Sequence, residues 1–260
     1  MLAIINEAIG LPEVASEHGA VVDHMLEMLH WFMGLLFVGW TLFFCFCLYR
    51  FHHKRNPKAS YHGVTGHASS HLEIGVVIVE GVLLLGFAFP MWARQVDEFP
   101  NSGDEVKIRA IGKQYEWWFH YPGLDGKFGD VDRGLVSGSN PAGYDKNSLT
   151  GKDDFVVLRT MKVPVSKEII IRVTSNDVIH NLALMSMRVA QDAIPGMNID
   201  MWFVPTKTGE WEMVCGQLCG AGHSMMVSQL EVIPQKDFDK FVETNSKGAL
   251  AASEAAPAEE

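Results

Sequence analysis

Between Cys215 and Met226 the chain reads Cys-Gly-Gln-Leu-Cys-Gly-Ala-Gly-His-Ser-Met-Met, which places two thiols, an imidazole and a thioether within one short run. Soft sulfur donors combined with an imidazole favour copper over other common metals. Gly216, Gly220 and Gly222 punctuate the run, and glycine's tolerance of positive φ lets a loop wrap a small ion instead of continuing as strand or helix. Other chemistries compete for these residues. Two cysteines on the oxidising side of a membrane can close a disulfide, and two cysteines with two histidines can hold structural zinc. A disulfide leaves His223 and Met226 without a purpose, and zinc has no use for the Met226 thioether.

A loop this tight cannot surround an ion alone, so a further strong donor must come from another strand. His180, in Ser175-Asn-Asp-Val-Ile-His180, is the candidate. The β-branched run from Lys167 to Thr174 reads as a strand, and Asn176-Asp177 gives a turn signal just before the histidine. A β-sandwich can bring such a strand end beside a loop between two later strands. Two thiolates can bridge two copper ions, each of which then needs a terminal imidazole and one weak axial donor. On that count Cys215 and Cys219 bridge, His180 and His223 terminate, and the Met226 sulfur and one loop carbonyl lie axially. A mononuclear blue copper site needs only one cysteine, so the second thiol argues for a dinuclear centre.

The pattern resembles the CuA centre of subunit II of haem-copper cytochrome oxidases. The aromatic segment Gly112-Lys-Gln-Tyr-Glu-Trp-Trp118 and the turn Gln191-Asp-Ala-Ile-Pro-Gly196 resemble further segments of that family, so the likeness covers most of the chain. The resemblance implies that the loop carbonyl is that of Gln217. Most of the family carries an acid at this position, whose side chain also reaches a magnesium at the boundary with subunit I; the neutral Gln217 puts that magnesium in doubt. It implies electron uptake at Tyr115 and Trp117, with Tyr115 standing where the family has a tryptophan near the surface above copper. It also implies that Glu73 lies near the entrance of a proton path into subunit I. Glu80 falls where many relatives have proline, and a hydrogen bond to a neighbouring helix is its plainer reading.

The elements that must carry these residues divide the chain. Leu29 to Tyr49 holds no Asp, Glu, Lys or Arg and is long enough to cross a bilayer core of roughly 30 Å as a helix. A second apolar stretch runs from Leu72 to Trp92. Arg50, Lys54, Arg55 and Lys58 lie between them without an acid, whereas residues 1–28 carry five acids and no Lys or Arg. The positive-inside rule then places the connection in the cytoplasm and both termini outside. The N-terminus lacks the basic segment of a cleavable signal. Cys45 and Cys47 point different ways within the first stretch and read as packing residues.

Beyond Asp97 the composition becomes that of a soluble domain. Strand-like runs at Val106–Ala110, Tyr115–Tyr121, Phe155–Leu158, Glu168–Val173, Met201–Val204, Glu210–Val214 and Val227–Val232, with turn residues between them, predict a cupredoxin-like Greek-key β-sandwich. Residues 122–154 read as a long surface excursion, and Lys236–Thr244 as a short helix. The expected organisation is an outer segment over 1–28, a transmembrane hairpin over 29–95, the copper domain over 96–246 and a disordered tail over 247–260. The fold class is mostly β behind a two-helix transmembrane hairpin.

What the resemblance implies for function is the electron-accepting subunit of a cytochrome c oxidase in the bacterial inner membrane. It would take electrons from a periplasmic cytochrome c or a cytochrome-containing complex and pass them to haem in subunit I, where oxygen is reduced. Subunit I, subunit III and membrane lipid are the implied partners, and no nucleic acid is expected. A membrane-anchored copper-delivery protein is the alternative; a quinol-oxidase subunit would lack these ligands. The chain carries no Cys-x-x-Cys-His, so no c-type haem is attached. From Asp97 onward 24 acidic residues face 16 basic ones, a formal charge of −8. A field of that sign steers a cationic donor.

Overall fold

The computed structural model describes residues 8–58, 61–63 and 66–255. Two long helices come first, α1 (Gly19–Arg50) and α2 (Ala68–Asp97), both long and apolar enough to cross a membrane. Helix α1 starts well before Leu29, so part of the expected outer segment is helical. Inside α2, Leu84–Ala88 widens to π-helical turns. Pro90 follows after Phe89. Its ring crowds the carbonyl one turn earlier and it has no N–H to offer, which is a physical reason for the ladder to loosen there.

The second unit comprises Pro12–Ala20 and Pro100–Glu260. Its strands are β1 (Val106–Lys113), β2 (Glu116–Tyr121), β3 (Phe155–Leu158), β4 (Thr160–Pro164), β5 (Ile169–Ser175), β6 (His180–Leu184), β7 (Val189–Ala193), β8 (Ile199–Phe203), β9 (Gly209–Cys215) and β10 (Val227–Ile233), followed by helix α3 (Gln235–Ala255). They form two five-stranded sheets, ordered β3-β2-β1-β5-β8 and β4-β10-β9-β6-β7. Inward-facing Ile108, Trp117, Phe119, Ile169, Ile171 and Phe203 of the first meet Met161, Leu182, Met213 and Leu230 of the second in one buried core. This is the expected sandwich, with ten strands in place of seven.

The three additional strands have recognisable reasons for escaping a pattern search. β4 ends in proline and is separated from β3 by Arg159 alone, whose φ of 63° turns the chain from one sheet into the other. Arg159 N donates to Trp117 O in the first sheet while its own carbonyl accepts Gln229 N from the second. β6 starts at His180, just after the Asn176-Asp177 turn signal, and is not among the strand-like runs, and β7, Val-Ala-Gln-Asp-Ala, is a polar edge strand.

Two further regions differ from expectation. Helix α3 continues past Lys247 to Ala255, with Ser246 fully buried and Ala249 packed on the core; alanine's high helix propensity supports the extension. Residues 256–260 lie outside the described residues. The excursion 122–154 is not loose: Ala142 and Tyr144 pack with Ile111, Trp118 and Val156 and cover the outer face of the first sheet.

The segment before α1 is an edge element of the domain. Ala15 is fully buried, its N–H donates to Ser186 O and its carbonyl accepts Thr206 N. Glu17 N donates to Val204 O, Ser16 Oγ to Met187 O at 2.6 Å, and the Arg188 guanidinium to Pro12 O.

Tyr121 ties the two sheets by a single hydroxyl. Its buried O–H donates to Lys162 O at 3.0 Å and accepts Lys162 N at 2.8 Å. Tyr121→Phe leaves that N–H without its acceptor, a loss of about 1–3 kcal/mol. Chemical denaturation of the purified chain in detergent is expected to lose stability of that size; an unchanged midpoint would show that water replaces the hydroxyl.

Candidate metal centre

Three separate pieces of chain build one cup. β6 begins at His180, β9 ends at Cys215, and residues 216–226 loop back to open β10. The loop is closed at its base, where Cys215 N donates to Met226 O at 3.1 Å and Gly216 N to Asn181 O at 2.9 Å. A short helical turn, His223–Met225, then aims the imidazole inward.

The donor atoms converge. Cys215 Sγ lies 3.8 Å from Cys219 Sγ, 3.9 Å from His180 Nδ1 and 3.1 Å from the Gln217 carbonyl oxygen. Cys219 Sγ lies 3.5 Å from His223 Nδ1 and 3.8 Å from Met226 Sδ. Soft donors held roughly 2.3 Å from a common ion in tetrahedral array sit close to these separations from one another. His180, Cys215, Cys219 and Met226 are buried, while His223 is half-buried and Gln217 exposed. All six residues named from the sequence therefore lie together. His180, Cys215 and Cys219 form the one potential metal-ligating group of three or more His, Cys, Asp or Glu among the described residues.

The thiols need a cation to ionise together. Burial first, and then the neighbouring Cys215, push the Cys219 thiol up to about 11. A pair of thiolates at this spacing without positive charge between them is costly, so the cup fits a metal that supplies that charge.

The shell around the donors was not foreseen. His180 Nε2 donates to Asp177 Oδ1 at 2.8 Å, which leaves Nδ1 as the free nitrogen facing Cys215. Burial raises the Asp177 carboxyl, but the hydrogen bonds from Gln114 N, His180 and Val178 N outweigh it and hold the group below the usual carboxylate range. Gln114 works twice: its N–H donates to Asp177 Oδ2 at 2.7 Å and its side-chain amide to Cys219 O at 2.7 Å. Gly112 leaves room for the His180 ring, since a Cβ there would stand 2.9 Å from Cδ2. An acid three residues before a candidate ligand histidine is the sequence signal that could have identified Asp177.

The aromatic residues named from the sequence take different places. Trp117 is fully buried with its ring 5.9 Å from His180 at 66°. Tyr115 lies in the β1–β2 turn, not in the strand, and its ring fills the space over Gly220 and Gly222. Glu73 and Glu80 lie in α2, and Cys45 and Cys47 in α1; none joins a metal-ligating group among the described residues.

A family model described as cytochrome c oxidase subunit II, periplasmic domain, matches residues 106–233. An alternative cytochrome c oxidase subunit 2 from Bradyrhizobium diazoefficiens is 30% identical over 224 residues, covering 85% of this chain and 79% of the relative. Cytochrome c oxidase subunit 2 of Cereibacter sphaeroides is 28% identical over 255 residues, covering 88% and 80%. The solved periplasmic domain of subunit II of cytochrome oxidase from Bradyrhizobium japonicum is 34% identical and covers 58% of this chain and 98% of that one, with a TM-score of 0.43.

Tyr115 and Gly222 give a direct test of how tightly the loop is held. A Cβ at Gly222 would stand 2.5 Å from Tyr115 Cδ2. Overpacking of this kind costs about 1–3 kcal/mol, which corresponds to about five- to 150-fold in affinity. Gly222→Ala is therefore expected to lose copper to a competing chelator more readily by that factor, and Tyr115→Ala added to it is expected to restore much of the loss. Unchanged retention in Gly222→Ala would mean that the ring swings aside freely.

Proposed function

The chain belongs to the subunit II family of cytochrome c oxidases, and from that premise we propose that its cup holds a dinuclear copper centre through which electrons enter the enzyme. As a member of that family it is a membrane-anchored subunit of an oxidoreductase. The observation that carries the copper reading is the convergence of two thiols 3.8 Å apart with an imidazole nitrogen beside each.

Two copper ions would be held by the Cys215 and Cys219 thiolates together, by one imidazole each from His180 and His223, and more weakly by the Met226 sulfur and the Gln217 carbonyl. When bound, the copper pair supplies a one-electron couple. The chain's own contribution is to keep the donors still. The buried sulfurs and His180 exclude water, and hydrogen bonds to Asp177 and the Cys219 carbonyl fix two sides of the cup, so little has to move when charge changes. Donors this buried suit retention of a metal better than its delivery.

Electrons come from a cationic cytochrome or cytochrome-containing complex and leave to haem in subunit I. Tyr115, over the loop, and Trp117, against His180, stand at the electron-uptake side. Partnership extends to subunit I and subunit III. Arg50, Lys54, Arg55 and Lys58 set the connection between α1 and α2 on the cytoplasmic side of the bacterial inner membrane, with both termini and the copper domain outside. Glu73 serves the start of a proton path. Gln217 brings no carboxylate, so it gives a magnesium at the subunit I boundary no charged ligand.

Substitutions should separate by role. Cys215→Ser or Cys219→Ser is expected to abolish the mixed-valence absorption and paramagnetic signature, whereas Met226→Leu keeps two coppers per chain and shifts only the potential. Metal analysis returning one copper, or one zinc, per wild-type chain would overturn the dinuclear assignment.

Added salt provides a test of the donor. The formal charge of −8 outside the membrane attracts a cationic partner over a screening length of roughly 8–10 Å near physiological ionic strength. The rate of the first electron transfer is expected to fall about tenfold or more as salt rises from low to physiological levels, with onward transfer unchanged. Stopped-flow traces separate the two phases, and an uptake rate indifferent to salt would point to a permanently docked donor.

A further inference from the structure

A row of polar side chains on the outer face of the first sheet takes no part in the copper cup. Strand register sets His120 of β2 opposite Arg109 of β1, Arg109 beside Arg172 of β5, and Arg172 opposite Asp200 of β8. Residues paired in this way stand on one face of a sheet. Carboxylates close the row at both ends: Asp200 holds Arg172 through two bonds of 2.8 Å, and Asp154 Oδ2 lies 2.7 Å from His120 Nε2. Arg109, in the middle, is buried, with its guanidinium 6.0 Å from the Phe128 ring.

The histidine end is sealed. Neither the His120 nor the Asp154 side chain has any exposed surface. The imidazole stacks on Tyr144 at 4.7 Å and meets the edge of Phe128 at 5.0 Å. His120 Nδ1 and Asp154 Oδ1 have no hydrogen-bond partner. With Nε2 donating to the carboxylate, a neutral ring leaves only a lone pair at Nδ1. A second proton would put an unmatched N–H among aromatic rings, at about 1–3 kcal/mol, and a third cation in line with two guanidiniums. Asp154 opposes this, but burial wins, and with Arg109 it holds His120 below the ordinary histidine range.

The pair also holds chain in place. Asp154 Oδ2 accepts Gly129 N at 2.9 Å, and the Tyr144 hydroxyl donates to Asp154 O at 3.1 Å. Asn140 Nδ2 donates to Tyr144 O at 2.8 Å, and next to it the Pro141 carbonyl accepts Asn176 Nδ2 at 2.8 Å. Asn176 adjoins Asp177, the carboxylate behind His180. We propose that His120 and Asp154 form an acid-sensitive clasp that fastens residues 122–154 to the sheet and so positions the Asn176–Asp177 turn behind the first copper ligand. Only the last link rests on the copper reading. The sign follows from a histidine held neutral in the fold: its contribution is complete above about pH 6.5, the ordinary histidine value, and is lost as the pH falls below it.

Amide hydrogen exchange of the full-length, metal-free chain in detergent, corrected for intrinsic rates, tests the clasp without copper. Between pH 7.5 and 5.5 the amides of Gly129, Asp132 and Asp145 are expected to lose about tenfold in protection relative to Ile171 in the core. His120→Gln keeps an N–H for Asp154 but cannot titrate, and should flatten that dependence. Equal wild-type protection at both pH values would overturn the clasp, even if His120→Gln does not fold; so would an undiminished pH dependence in a folded His120→Gln. With the copper-loaded chain, release to a chelator at pH 5.5 should be several-fold faster for wild type than for His120→Gln. Equal release would overturn the positioning of the Asn176–Asp177 turn, and a wild-type chain that takes up no copper would refute the copper reading while leaving the exchange result in force.

Discussion

A single carboxylate organises the cup. Asp177 accepts hydrogen bonds from the His180 ring, from the Gln114 backbone and from Val178, and so joins the β5–β6 turn, the β1–β2 turn and the first ligand at one point. Without it His180 could present either nitrogen. With it, Nε2 is committed and Nδ1 must face the sulfurs. Gln114 carries the constraint onward to the Cys219 carbonyl, so the loop bearing the thiols and the strand bearing the imidazole share one support. The glycines complete the arrangement by omission, because side chains at Gly112, Gly220 or Gly222 would occupy space taken by His180, Tyr115 or Gln114.

The donors were legible because their signal is local. Five of the six lie in one run, and the type and spacing of their side chains narrow the chemistry before any fold is known. His180 was legible only through its turn and its β-branched strand. The support was not: Gln114 meets Asp177 across 63 residues and Cys219 across 105, and no periodicity reports such pairings. Strands with alternating or β-branched residues were found, whereas β7 was hidden by its polarity and β4 by its terminal proline. The tail illustrates a different failure. Its Ala/Glu/Pro composition reads as disordered from Lys247 onward, yet the helix runs on to Ala255 and Ala249 packs on the core.

The excursion 122–154 changes what the first sheet is. A sandwich of this size could leave one outer face wet, with polar residues alternating along each strand. Here Ile111, Trp118 and Val156 point outward and are covered by Ala142 and Tyr144, so β1, β2 and β3 are apolar on both faces over part of their length. That explains why the aromatic segment around Trp117 and Trp118 has two large neighbours facing opposite ways. It also explains how Arg109 and His120, ordinary surface types, come to be buried.

The segment from Pro12 to Ala20 has a consequence for the order of assembly. Ser16 bonds to Met187, a partner 171 residues away, and Ala15 is held between Ser186 and Thr206, which are synthesised long after it. Contacts of such separation are slow to form, because the intervening chain must be ordered before they bring any stability. The first part of the domain to be made therefore has its partners among residues made much later, and these bonds can form only once Ser186 and Thr206 have been synthesised.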